Sequence, residues 1–253
     1  MKKIISALLF LISVHSTTSF AQDASSLIKS GKALEDAANE EGALVKYLAA
    51  LKIEPNNYVA VCQVSFLYSR IGNRQSDEAK QKEDFVNAKM YAAKALKLNA
   101  NDAESNYVMA VAMGRMALIS GTNDKVAASR DIKKYAVAAL GYNPNHAGAN
   151  YVLGRWHHEV TNLNFFERAA ANVLFGGIPE ASEEDALKYL SKAVSLRPDF
   201  ILYYYDLAVT KNELGKKSEA IASLKKAISL KAQTEDDPAN LTKCKSLLAE
   251  LQQ

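Results

Sequence analysis

Small and apolar residues recur at helical spacing in five similar segments: "ALVKYLAALKIEPNN", "NAKMYAAKALKLNAN", "DIKKYAVAALGYNPN", "DALKYLSKAVSLRPD" and "EAIASLKKAISLKAQ". Each carries a small or apolar residue, then an aromatic residue or leucine near the middle, then alanine. Three run on to a proline (Pro55, Pro144 and Pro198), which cannot continue a helix and so ends it. Ahead of them lies a second set of segments, including "ESNYVMAVAMGRM" and "GANYVLGRWHHEV", which share Asn-Tyr-Val in register 44 residues apart. The pattern predicts helix pairs, an A helix followed by a B helix, repeated along the chain.

Both sets place a small residue where two helices would cross closely. Helix A supplies Gly31, Ser65, Ala110, Gly154 and Ala208, and helix B supplies Ala50, Ala95, Ala139, Ala193 and Ala227. A larger side chain there would push the pair apart. This arrangement resembles the tetratricopeptide repeat, and the resemblance implies an all-α fold, a tetratricopeptide-repeat α-solenoid of five helix pairs. The helix-B alanines are 45, 44, 54 and 34 residues apart, against a family period of about 34. The first and last repeats are therefore standard, and the middle three carry insertions between helix A and helix B. In repeats two and three the extra length predicts longer helices and loops. In repeat four it suffices for an additional helix, "NFFERAAANVLF", stopped by Gly176 and Gly177 and followed by Pro179. Helix B then restarts near Ser182 and Asp185, an approximate capping box. Repeats are expected over about 24–57, 58–102, 103–146, 147–200 and 201–234. A capping helix over about 238–252 follows, with Asp237 as N-cap, Pro238 at its first position and an apolar stripe of Leu241, Cys244, Leu248 and Leu251 joined by Leu247.

Residues 150 onward are more specific. Leu153-Gly154-Arg155-Trp156, Glu159-Val160, Phe166-Glu167-Arg168, Leu174-Phe175-Gly176 and the closing "QTEDDPANLTKCKSLL" resemble, in the same order, the C-terminal repeats of the regulator of microtubule dynamics family. The resemblance covers residues 100–250 best, and His157 and His158 depart from the family's usual pair. It implies the repeat fold, and it alone carries any link to microtubules. Trp156 is expected to pack beneath the inserted helix against Phe165 or Phe166. Arg155, Glu159, Glu167 and Arg168 are expected to form a polar network fastening that helix to helix A, with ligand contact by the same cluster as the alternative.

The first residues change the picture of where the protein works. Lys2 and Lys3 precede an apolar run from Ile4 to Val14, and Ser19 and Ala21 supply the small residues of a cleavage site before Gln22. The run is shorter than the roughly 20 residues that span a bilayer. A cleaved export signal over residues 1–21 is the expectation, an uncleaved anchor the alternative; the mature chain would have no transmembrane span and sit in a periplasm or outside the cell. Cleavage would remove two of 31 basic side chains and none of 28 acidic ones, leaving +1. So even a balance argues against nucleic-acid binding. Cys62 and Cys244 would lie several helix layers apart in such an array, farther than the roughly 7 Å a disulfide spans. Two free thiols are expected.

No catalytic motif is apparent. "HHEVTN" lacks the second histidine of a His-Glu-x-x-His zinc helix, and adjacent helical residues point about 100° apart. Neither a metal, nor another cofactor, nor enzymatic activity is expected. In such arrays the inner face, lined by one side of each helix A, carries function. That face projects to Phe66 and Arg70 in repeat two and to Tyr107, Val111 and Arg115 in repeat three. Repeat four contributes Tyr151, Arg155 and His158, and repeat five Tyr205 and Val209. Tyr107, Tyr151 and Tyr205 share one repeat position and suit either a binding surface or simple filling of the interior. The arginines would favour an acidic group on the ligand. The two-carboxylate clamp for chaperone C-termini is not available, because Ile28 and Lys32 stand where it needs Lys and Asn. The leading reading is an exported scaffold whose groove binds a protein or peptide segment. A carrier for a lipid with an acidic head, and a self-associating architectural subunit, are the alternatives.

Overall fold

The computed structural model describes residues 23–177 and 180–253, with Phe175 as backbone only; the expected export signal and Pro179 lie outside them. The described residues form twelve helices and no strand. Helices α1 (Ala24–Asp36) and α2 (Glu40–Ile53) make the first pair, α3 (Tyr58–Arg74) and α4 (Glu78–Leu98) the second, α5 (Ala103–Leu118) and α6 (Thr122–Tyr142) the third. In the fourth, α7 (Ala147–Thr161) packs on α9 (Glu183–Leu196), with α8 (Phe165–Phe175) inserted between them in sequence. The fifth is α10 (Ile201–Glu213) with α11 (Lys217–Ile228), closed by α12 (Asp237–Leu251). From α3 onward each A helix touches the next A helix, so the pairs stack in one direction as a solenoid.

Local sequence explains where the helices begin and end. Asp23, Asn57 and Asp102 each accept a hydrogen bond from a backbone N–H of the following first turn, satisfying donors that have no partner inside the helix. Pro55, Pro144 and Pro198 each come directly after the C-cap of a B helix.

All five helix-B alanines are fully buried. Opposite them, Ser65 donates its hydroxyl to the Ala88 carbonyl at 2.8 Å, a contact between neighbouring backbones that only a small residue allows. At Gly154 a Cβ would stand 2.7 Å from Leu190 Cγ and 3.0 Å from the Leu190 backbone nitrogen. Backbone cannot yield as a side-chain tip can.

The insertions in repeats two and three become helix rather than loop. α4 and α6 reach 21 residues each, against 14 for α2, and the turns before them stay short. In repeat four α8 starts at a capping box between Asn164 and Glu167 and ends at Gly176, whose φ of 72° suits a residue without a Cβ. Ser182 caps α9 by accepting from the Asp185 N–H at 3.1 Å. The closing helix starts one residue earlier than expected. Asp236 is its N-cap and Asp237 its first residue, because the Asp237 carboxylate turns back to accept from the Gln233 and Thr234 N–H groups, both at 2.8 Å. Leu241, Cys244, Leu247, Leu248 and Leu251 pack onto the last pair as one cluster.

Trp156 is buried, but not under Phe165 or Phe166, which are 79% and 73% exposed. α8 rests on α6 instead, held where Lys125 donates to Glu167 at 2.5 Å. The indole packs among Ala136, Leu153 and Val160 and donates to Ser129, and the Lys133 ammonium sits 4.4 Å from the ring centroid.

Cys62 and Cys244 are both buried free thiols; burial pushes the first up to about 12 and the second to about 11. Native protein should therefore leave both unreacted in a thiol-reagent titration near pH 8, and denatured protein should release two. Reaction of either thiol before unfolding would contradict this packing. Trp156→Ala should lower stability to urea by about 3–5 kcal/mol, and Gly154→Val by about 1–3 kcal/mol through overpacking against α9. Unchanged unfolding midpoints would show that these helices are not held as close as described.

Candidate functional site

Helices α3, α5, α7 and α10 line the inner side of the stack. From α3, the Phe66 ring lies 5.8 Å from Tyr107 on α5, and the Arg70 guanidinium sits 5.7 Å from the Phe66 centroid. Tyr107 continues to the His146 ring at 4.6 Å and lies over Gly148, where a Cβ would stand 2.5 Å from the ring. Tyr151 on α7 stacks on Tyr203 of α10 at 4.6 Å with an interplanar angle of 19°. Val111 and Val209 are half-buried on the same helices. Tyr107 and Tyr151 are each half-buried. Burial raises both phenols well above their usual range and takes Tyr203 up to about 12, so all three stay neutral hydrogen-bonding groups.

The expected inner-face cations have three different fates. Arg155 donates to Asp206 at 2.6 Å and also pairs with Glu159. Asp206 is buried and accepts from the Tyr151 hydroxyl at 2.6 Å as well, so one carboxylate joins repeats four and five. Burial works against the Arg155 charge, but the Asp206 and Glu159 carboxylates outweigh it and hold the guanidinium ionised.

Arg70 is engaged across the whole array. It meets Glu40, at the start of α2, at 2.7 Å and Asp236, just before α12, at 2.9 Å. Arg74, one turn on, meets Glu40 at 2.7 Å, Glu235 at 3.0 Å and Asp236 at 3.2 Å. The Glu40 backbone N–H donates to Glu235 at 2.7 Å. The solenoid thus winds far enough for the loop before its last helix to reach its first two repeats.

Arg115 is different. Its Nη1 donates to Asn73 at 2.8 Å, its buried Nε has no hydrogen-bond partner, and among the described residues no carboxylate lies within ion-pair distance. Desolvation lowers its pKa, and the Asp236 carboxylate acts in the opposite direction without outweighing it. Helix α5 therefore carries a guanidinium short of a counter-charge among the described residues.

Other expected residues point elsewhere. Tyr205 packs toward the cluster containing Cys244, and Tyr203 takes the stacking place against Tyr151. His158 faces helix B, with Nδ1 at 3.0 Å from Glu183. His157, beside it, is buried and stacks on Tyr189 at 5.6 Å; burial lowers its pKa. The expected single network splits: Arg155 and Glu159 serve the inner face, Glu167 holds α6, and Arg168 donates to the Leu163 and Thr161 carbonyls at 2.9 and 2.8 Å beyond the end of α7. Asp206, Tyr203, Arg74, Glu40, Glu235 and Asp236 join the site without having been expected there. Asp206, an acid inside the apolar run "YYYDLAV", was the available signal.

Comparison with known proteins agrees with this fold. A thermophilic TPR protein of Thermus thermophilus superposes with a TM-score of 0.64 at 16% identity, over 89% of this chain and 99% of that one. Regulator of microtubule dynamics protein 3 of Mus musculus is 30% identical over 176 residues, 68% of this chain and 37% of its own length. Regulator of microtubule dynamics protein 1 of Rattus norvegicus is 28% identical over 180 residues, 70% of this chain and 57% of its own. The chain thus spans between about a third and three-fifths of these relatives. The family model described as Regulator of microtubule dynamics protein 1-3 matches residues 27–252, and the chain belongs to that family.

Proposed function

We propose that the protein is a non-enzymatic scaffold that binds a segment of a partner protein along the inner face of α3, α5, α7 and α10. The observation that carries this reading is Arg115, a guanidinium with a buried unpaired Nε and, among the described residues, no carboxylate within ion-pair distance, on the same helix as Tyr107 of the Phe66–Tyr107 ring pair. Aromatic side chains and arginine are the residue types on which protein recognition most often turns. Mixed tyrosine and guanidinium lining suits a peptide backbone with acidic side chains better than a purely apolar chain. We further propose that the chain is exported, on the basis of Lys2, Lys3, the run Ile4–Val14 and the small residues Ser19 and Ala21. The relatives' name ties them to microtubule dynamics; for an exported chain we carry over their scaffold and not that target.

Two experiments test these readings. A photo-crosslinking residue at Val111 should capture a partner protein that the same residue at outward-facing Val86 does not, and Arg115→Gln should cut that capture several-fold. Equal capture from both positions would place binding elsewhere, and lipid co-purifying with the protein in native mass spectrometry would replace the peptide by a lipid. For export, the intact mass of protein recovered from its native cells should correspond to a chain beginning at Gln22. A mass that retains residues 1–21 would overturn cleavage.

A further inference from the structure

The ionic cluster between the two ends of the solenoid has the form of an occupied binding site. Arg70 and Arg74 lie one turn apart on the inner side of α3, with side chains 13% and 23% exposed. Glu40 neutralises one of these two positive charges from within the first two repeats. The remainder is met by Glu235 and Asp236, more than 160 positions away in sequence. Those two acids belong to an irregular linker, "SLKAQTED", between α11 and α12. Asp237 holds the linker's turn by accepting from Gln233 and Thr234, which leaves Glu235 and Asp236 free to reach outward. α12 is packed on α10 and α11, so its place does not depend on that reach. The contact consists of charged side chains and one N–H donated to a carboxylate.

We infer that Arg70 and Arg74 form a docking site for an acidic peptide segment, and that the Glu235–Asp236 linker occupies it as an intramolecular stand-in which a partner must displace. This rests on the groove reading above and gives its ligand a charge and an entry point. Arg115, the next guanidinium along the inner face, lacks a carboxylate and offers the continuation: an incoming segment with two or three acids would take over the linker's pairs and add one. Because the linker's contacts are ionic and part-exposed, salt weakens them, while the apolar packing of α12 persists.

The probe is a labelled peptide of residues 231–238, read by fluorescence anisotropy against the chain from residue 22 onward. Glu235→Gln/Asp236→Asn protein should bind it at least about ten-fold more tightly than intact protein, and more tightly than it binds the same peptide with Gln and Asn at the two acids. Equal binding by the two proteins, or none by the variant, would overturn the inference. A second measurement uses the intact chain alone. Hydrogen exchange at the Glu40 amide, which donates to Glu235, should accelerate between about 0.1 M and about 1 M salt while the α12 amides keep their protection. Unchanged exchange at Glu40 would equally overturn it. Loss of the peptide effect with partner capture from Val111 retained would refute the stand-in and leave the groove standing; loss of both would refute the groove.

Discussion

Everything in this molecule depends on how closely paired helices can approach. The alanines at 50, 95, 139, 193 and 227 are fully buried, and their opposite numbers include Ser65 and Gly154. Close approach brings a second benefit beyond burial. Close packing within each pair lets successive A helices touch one another along the stack. The ring pairs Phe66–Tyr107 and Tyr151–Tyr203 form where those A helices meet.

Charge is distributed over this frame unevenly. Asp206 serves a phenol and a guanidinium at once, and Glu40 serves two guanidiniums from a buried position. Removing one partner from such a buried set leaves the others uncompensated, which costs about 3–5 kcal/mol. These are stable arrangements within the chain. Arg115 stands apart because, among the described residues, its hydrogen-bond acceptor is the Asn73 amide oxygen and no carboxylate lies within ion-pair distance.

The fold could be read in the sequence because its determinants are local. A small residue every 34 to 54 positions and a proline after three B helices mark pairs whatever lies around them. The inner face was half legible for the same reason: Tyr107 and Tyr151 follow from register, but register alone put Tyr205 where Tyr203 stands, since the last repeat packs on a capping helix and not on another pair. The pairing of Trp156 failed because α8 packs on α6 of the preceding repeat, where Lys125 meets Glu167 across 42 residues of sequence. The meeting of Arg70 with Asp236 depends on the accumulated pitch of the whole stack. No window of sequence encodes that.

The contact between the two ends also alters how such a chain would assemble. An open array gains its stability from neighbours alone, and ordering can start in any repeat and spread. Joining Arg70 to Asp236 adds one contact across 166 positions to a topology otherwise built from short-range ones. The entropy of closing so long a loop grows only slowly with its length, and intervening repeats that are already ordered have met most of it. In the folded chain the Arg70–Asp236 contact requires the repeats between them to be in place, so it reports the integrity of that stretch of the stack at a single point.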